Sequence, residues 1–193
     1  NLVDSQIYDD FKVDILADPL SYLRKLKSPY IERECNRFEE VILPLYITRS
    51  SVNSDYGEVQ EKSGLNQFNA GGRKRHEDEV YIPVPKVIHN LFVDFFPQEN
   101  ETTFDLILPN GNTVSAKMCQ AGQKGLMSNP NRALGKWLLR DLLKMEPMQK
   151  ITRKDLNHIG IDCVRVIKLD DRSYKIDFAA VGKYEEFIES NLG

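Results

Sequence analysis

The stretch TTFDLILPNGNTVSAKM, residues 102–118, decides the architecture. Phe104, Leu106 and Leu108 alternate with other residues on one side of Asn110-Gly111, and Val114, Ala116 and Met118 alternate on the other. A period of two places each apolar row on one face of a half-buried strand. Asn-Gly readily takes up the positive φ that a tight hairpin turn needs. The segment is therefore predicted to be an antiparallel hairpin, and a hairpin needs further strands to be stable.

Those strands can be found on either side of it. VILPLYIT (41–48) is β-branched and aromatic, with Pro44 marking an edge or a bulge, and EVYIPVP (79–85) is a second candidate. Val164 and Val166, a turn around Asp170-Asp171, then Tyr174, Ile176 and Phe178 predict another hairpin. Pro85 opens a helix whose Ile88, Leu91, Phe92 and Phe95 fall at i, i+3, i+4 and i+7, and Pro97 is expected to stop it. A second helix is predicted over 132–144, with Leu134, Trp137, Leu138 and Leu142 buried and Arg132, Lys136 and Arg140 along the opposite side. Thr152 with Asp155 starts a short third helix, and Asp18-Pro19 starts a connecting helix near the N-terminus. At least six strands and two substantial helices, with antiparallel hairpins dominating, make a mainly β, α+β domain. A barrel-like sheet carrying helices fits this better than a doubly wound parallel one.

A chain of 193 residues with ordinary apolar and charged fractions suits one domain with an N-terminal extension. Its longest apolar runs fall far short of a bilayer span, and no signal peptide opens it. It starts at Asn1 rather than Met, which reads as a piece of a longer protein. Three cysteines without metal-type spacing predict a reduced, cytoplasmic protein. The net charge of −3 argues mildly against a polyanionic partner, but the charge is uneven. No acidic residue occurs from 106 to 140, while Lys117, Lys124, Arg132, Lys136 and Arg140 all do, and Arg73-Lys74-Arg75-His76 forms a second basic cluster. Such zones are compatible with a polyanion-binding face.

No catalytic pattern is evident. His76, His89 and His158 share no ligand spacing, and His89 reads as structural. Cys119 has no accompanying His or Asp and reads as a small buried thiol. Phosphate-cradling glycine motifs, paired nuclease carboxylates and a histidine-lysine-aspartate signature are all missing from the sequence. No catalytic residue, metal or cofactor is expected.

Two polar, basic, glycine-punctuated segments remain, SGLNQFNAGGRKRH (63–76) and CQAGQKGLMSNPN (119–131). Asn and Gln can grip adenine bidentately, Arg and Lys donate to guanine, and Ser serves either. The expected base readers are Asn66, Gln67, Asn69, Arg73 and Arg75 in the first segment. In the second they are Gln120, Gln123, Lys124, Ser128, Asn129 and Asn131, although Asn131 also suits a helix cap. Lys74 and Lys117 are the expected phosphate contacts. Phe68 is expected to anchor its loop. A single-strand or RNA binder and a protein-interaction domain remain the alternatives.

The strings SGLNQF, EVYIPVP and LMSNPN…LGKWLLRDLL, within a span of roughly 41–180, resemble the C-terminal domain of phospholipase-D-type restriction endonucleases, the NgoFVII/BfiI-like group. The resemblance implies a B3-like pseudobarrel of seven strands and two helices that binds double-stranded DNA in the major groove. Its N-arm would lie within 59–76 and its C-arm within 117–131. It also implies that cleavage belongs to a separate, metal-independent nuclease domain, so the parent would be a Type II deoxyribonuclease. Residues 1–40 would then be a linker from that domain and 41–193 the recognition domain. Partners would be duplex DNA and the nuclease domain, with a dimer through that domain as one option, and no membrane.

Overall fold

A computed structural model describes residues 39–48, 56–98 and 102–192, all within the second of the two units into which the chain divides. The helix expected from Asp18-Pro19 and residues 1–38 of the linker expected over 1–40 lie outside the described residues. Seven strands, β1 (Glu40–Pro44), β2 (Ile82–Pro83), β3 (Thr103–Ile107), β4 (Thr113–Cys119), β5 (Gly125–Ser128), β6 (Ile161–Asp170) and β7 (Ser173–Ala180), form one sheet. Their order is β1-β6-β7-β3-β4-β5-β2. All neighbours are antiparallel except β3 and β7, which are parallel. The edge strands β1 and β2 approach each other, so the sheet is a nearly closed barrel.

The 102–118 hairpin follows its alternation. Phe104 opposes Ala116 and Leu106 opposes Val114, and of the six alternating residues all but the partly buried Val114 are buried. Gly111 sits at φ +82°. Its N–H donates to Leu108 O at 2.9 Å, and Leu108 N–H donates to Asn112 O at 2.8 Å. Pro44 closes β1 at the sheet edge, where an absent N–H is tolerated. The strand expected over 79–85 shrinks to Ile82–Pro83, because Pro83 and Pro85 remove two ladder donors.

Among the described residues, four short helices and a 3-10 turn over Gly64–Asn69 accompany the sheet, where two substantial helices and a short third were expected. α1 (Lys86–Leu91) ends six residues before Pro97. Adjacent residues of a helix point about 100° apart, and the chain leaves the helix so that both Phe95 and Phe96 enter the core. There they pack around Tyr174, whose hydroxyl donates to Phe95 O at 2.6 Å. α2 (Ala133–Gly135) continues as a wider, π-wound segment, Lys136–Leu142, which buries Trp137, Leu138 and Leu139. Gly135 backs onto the chain at Asp78, where a Cβ would lie 1.9 Å from the Asp78 carbonyl oxygen. α3 (Arg153–His158) has the expected capping box between Thr152 and Asp155. α4 (Lys183–Leu192) was not foreseen; its Phe187 stacks on Phe92 with ring centroids 5.6 Å apart.

Candidate nucleic-acid interface

The segment CQAGQKGLMSNPN is not one long loop. β4 ends at Cys119, the chain turns at 120–124, and β5 returns with Cys119 opposite Gly125. A side chain at Gly125 would strike Cys119 Sγ and the Tyr81 ring, each 2.8 Å from its Cβ, so the close approach of β5 requires glycine. The turn places Gln120, Gly122 and Gln123 at positive φ, +68°, +73° and +54°. Non-glycine residues hold such angles when their surroundings over-determine them, and Gln123 is held on three sides. Its Nε2 donates to Pro97 O at 2.9 Å and to Gln98 O, and its carbonyl lies 3.0 Å from His89 Nε2. A carbonyl can only accept, so that His89 nitrogen carries the proton. Bracing of this kind leaves Gln120 and Lys124 exposed at the tip.

Beside the turn lies a cleft of about 610 Å³. Its other wall is the chain leaving β1, which folds back so that Ile47 N–H donates to Glu58 O and Gly57 N–H to Ile47 O, both at 2.9 Å. Thr48 and Gln60 line that wall, Lys86 and Asn90 come from α1, and Gly122 and Lys124 from the turn. Among the described residues, none that lines the cleft is acidic. Thr48, Gln60, Lys86 and Asn90 were not singled out from the sequence. Gln60 lies inside the span implied for the first arm, whereas Lys86 and Asn90 look like an ordinary solvated helix side.

The basic cluster at 73–75 and the 120–124 turn lie toward opposite ends of β5. In the β2–β5 pair, Pro83 opposes Gly125 and Ile82 opposes Leu126. The chain after Pro83 therefore runs toward the 120–124 turn, and Val84 N–H donates to Lys124 O at 2.8 Å. The chain before Ile82 runs toward Ser128 and α2, where Asp78 packs on Gly135. Arg73, Lys74, Arg75, Asn129 and Asn131 thus belong to the far end of β5. Gln120 and Lys124 belong to the near end, with the cleft.

Several expected readers are built into the fold. Asn66 is fully buried; its Nδ2 donates to Gln60 O at 2.9 Å and Ile151 O at 2.8 Å, and its Oδ1 accepts from Ile151 N–H at 2.8 Å. Ser128 is fully buried, and its Oγ accepts from Leu134 N–H at 2.9 Å, satisfying a free amide of the helix start. Capping thus falls to Ser128 and not to the half-buried Asn131. Gln123, buried and bonded as above, braces the turn. These three side chains are corrected from base readers to structural groups, since each is buried and hydrogen-bonded within the protein.

The remaining candidates keep some access. Gln67 is half-buried, as is Phe68. Asn69 is exposed, with Nδ2 donating to Glu61 O at 3.1 Å. Arg73 is 60% exposed yet paired with Glu79 at 2.8 Å, and its guanidinium holds that carboxyl below the usual carboxylate range. Lys74 is exposed, Arg75 half-buried, and Lys117 half-buried on β4 between Thr103 and Met127. Asn129 is exposed just past β5.

Burial pushes the Cys119 thiol up to about 11, which suits packing and not nucleophilic chemistry. His76, Glu77 and Asp78 bring potential ligand atoms within 4.8 Å of one another. His76 Nδ1 accepts from Asp78 N–H at 3.2 Å, however, and Asp78 Oδ1 is 2.8 Å from Arg140 Nε, so the cluster is bonded internally. Among the described residues no helix is long and apolar enough to cross a membrane.

No curated protein matches this chain. A solved structure of a hypothetical protein from Arabidopsis thaliana aligns at 14% identity and a TM-score of 0.34, covering 75% of this chain and 93% of that one. The model of the NgoFVII C-terminal B3-like DNA-binding domain matches residues 43–170. With that match over most of the seven-stranded barrel, the chain belongs to the family of NgoFVII C-terminal B3-like DNA-binding domains.

Proposed function

We propose that this domain reads a specific duplex sequence, with base edges of the major groove entering the cleft between the 120–124 turn and the chain after β1. Gln120 and Lys124 approach from one side, and Gln60, Lys86 and Asn90 from the other. The lining of that cleft, which has no acid among the described residues, carries the reading. It offers lysine and amide donors to guanine and adenine edges, and presents no carboxylate to repel the phosphates beside them. Cutting would fall to a nuclease domain of a phospholipase-D-type restriction endonuclease, for which this domain supplies the address.

Duplex is favoured over single strands by the aromatic content of the cleft. Single-strand binders stack bases on exposed rings, but among the described residues the tyrosine lining this cleft, Tyr46, is 2% exposed and covered by the Arg153 guanidinium 3.8 Å from its centroid, and the His89 imidazole is tied to the Gln123 carbonyl. Lys124→Ala is expected to weaken binding to the preferred duplex by about 1–3 kcal/mol and to relax discrimination at one position. Competition assays against single-base variants of the site measure both. Unchanged discrimination would remove Lys124 from the readers, and equal affinity for single strands would favour the other binding mode.

A further inference from the structure

The residues at the far end of β5 form a surface of their own. The 73–79 loop packs on Gly135, and Arg132 and Lys136 flank that glycine on exposed positions. The carboxylates of this region are already engaged: Glu79 is bonded to Arg73, and Asp78 to Arg140. Lys74, Arg132 and Lys136 have no carboxylate partner among the described residues, Asn129 is exposed just past β5, and the half-buried Glu77 and the exposed Asp141 are the acids next to them in sequence. The excess charge is thus positive and set apart from the cleft. Lys124 and Asn129 bracket β5 five residues apart, which at about 3.3 Å per residue is roughly 17 Å.

We propose that this surface is a second, sequence-independent contact with the same duplex, in which Arg132 and Lys136, joined by Lys74, neutralise backbone phosphates flanking the site read in the cleft. Its position on the duplex rests on the cleft reading: roughly 17 Å corresponds to about five base pairs at ~3.4 Å per step along a strand. The partner is the phosphate backbone and not base edges, because the side chains that dominate the surface are point or forked cations. Asn129 is the exposed amide just past β5, outnumbered by three cations.

The test compares the wild-type chain with Arg132→Gln/Lys136→Gln on two duplexes carrying the preferred site. One has flanks of about ten base pairs on each side and the other about two, beyond or short of the predicted contact. On the long duplex the slope of log K against log salt is expected to fall in magnitude by about 1.8, since each lost phosphate contact removes about 0.9. Base preference should be unchanged, and on the short duplex the two proteins should bind alike. Equal slopes on the long duplex, a slope change that persists on the short one, or an altered base preference would each overturn the proposal. Both side chains are exposed, and coincident thermal melts verify the fold. Lys124→Ala, run in parallel, reports on the cleft separately. Lost preference there together with equal slopes for the double variant sinks the flanking contact alone, whereas intact preference with a reduced slope on the long duplex sinks the cleft alone.

Discussion

Arg153→Ala is expected to destabilise the domain by about 3–5 kcal/mol, the cost typical of leaving one member of a buried ion pair without its partner. Asp162 is fully buried, and its Oδ2 lies 2.6 Å from Arg153 Nη2, with the Gly182 N–H at 3.4 Å as a weaker donor. Without the guanidinium, that carboxylate stays buried with no cationic partner. The same substitution uncovers the Tyr46 ring, whose hydroxyl donates to Glu185 of α4. Leu45 N–H donates to Asp162 O at 2.9 Å, so the network holds the chain where it leaves β1 and enters the cleft wall. Urea denaturation should show a lower midpoint with an unchanged slope. Arg153→Met/Asp162→Leu should recover much of the loss, because removing both charges also removes the desolvation cost.

Asn66→Leu is expected to cost about 2–6 kcal/mol, because the two buried Ile151 groups that lose a partner each cost about 1–3 kcal/mol. The amide ties residue 60 to residue 151 through three bonds, and Leu would leave the Ile151 N–H and two carbonyls without them. The isosteric shape of Leu keeps cavity formation out of the comparison. A stability loss in denaturant, with DNA affinity per folded molecule unchanged, is the expected result. Lost affinity at full stability would restore Asn66 as a base reader.

Asn66 also shows what a sequence can and cannot reveal about a site. The hairpins were legible because alternation is local: Phe104, Leu106 and Leu108 must face one way whatever surrounds them. The capping box at Thr152 and Asp155 was legible for the same reason. An amide carries no such mark. Asn66, Gln123 and Ser128 have the composition of a reading loop, and their burial depends on the remote partners Ile151, Pro97 and Leu134. Lys86 and Asn90 were hidden in the opposite way. Their helix face looked like plain solvated surface until the barrel brought it beside Lys124. β5 went unread because Gly125–Ser128 is short and its pairing partners are strands, not its own alternation.

The most direct test of the central claim is selection from a randomised duplex pool by the wild-type chain, by Lys124→Ala, and by Lys86→Ala/Asn90→Ala. Wild type is predicted to enrich one short motif, and each variant to lose preference at positions within that motif while still binding duplex. A pool that stays random under wild-type selection, or an identical motif recovered by all three proteins, would contradict a base-reading role for the cleft.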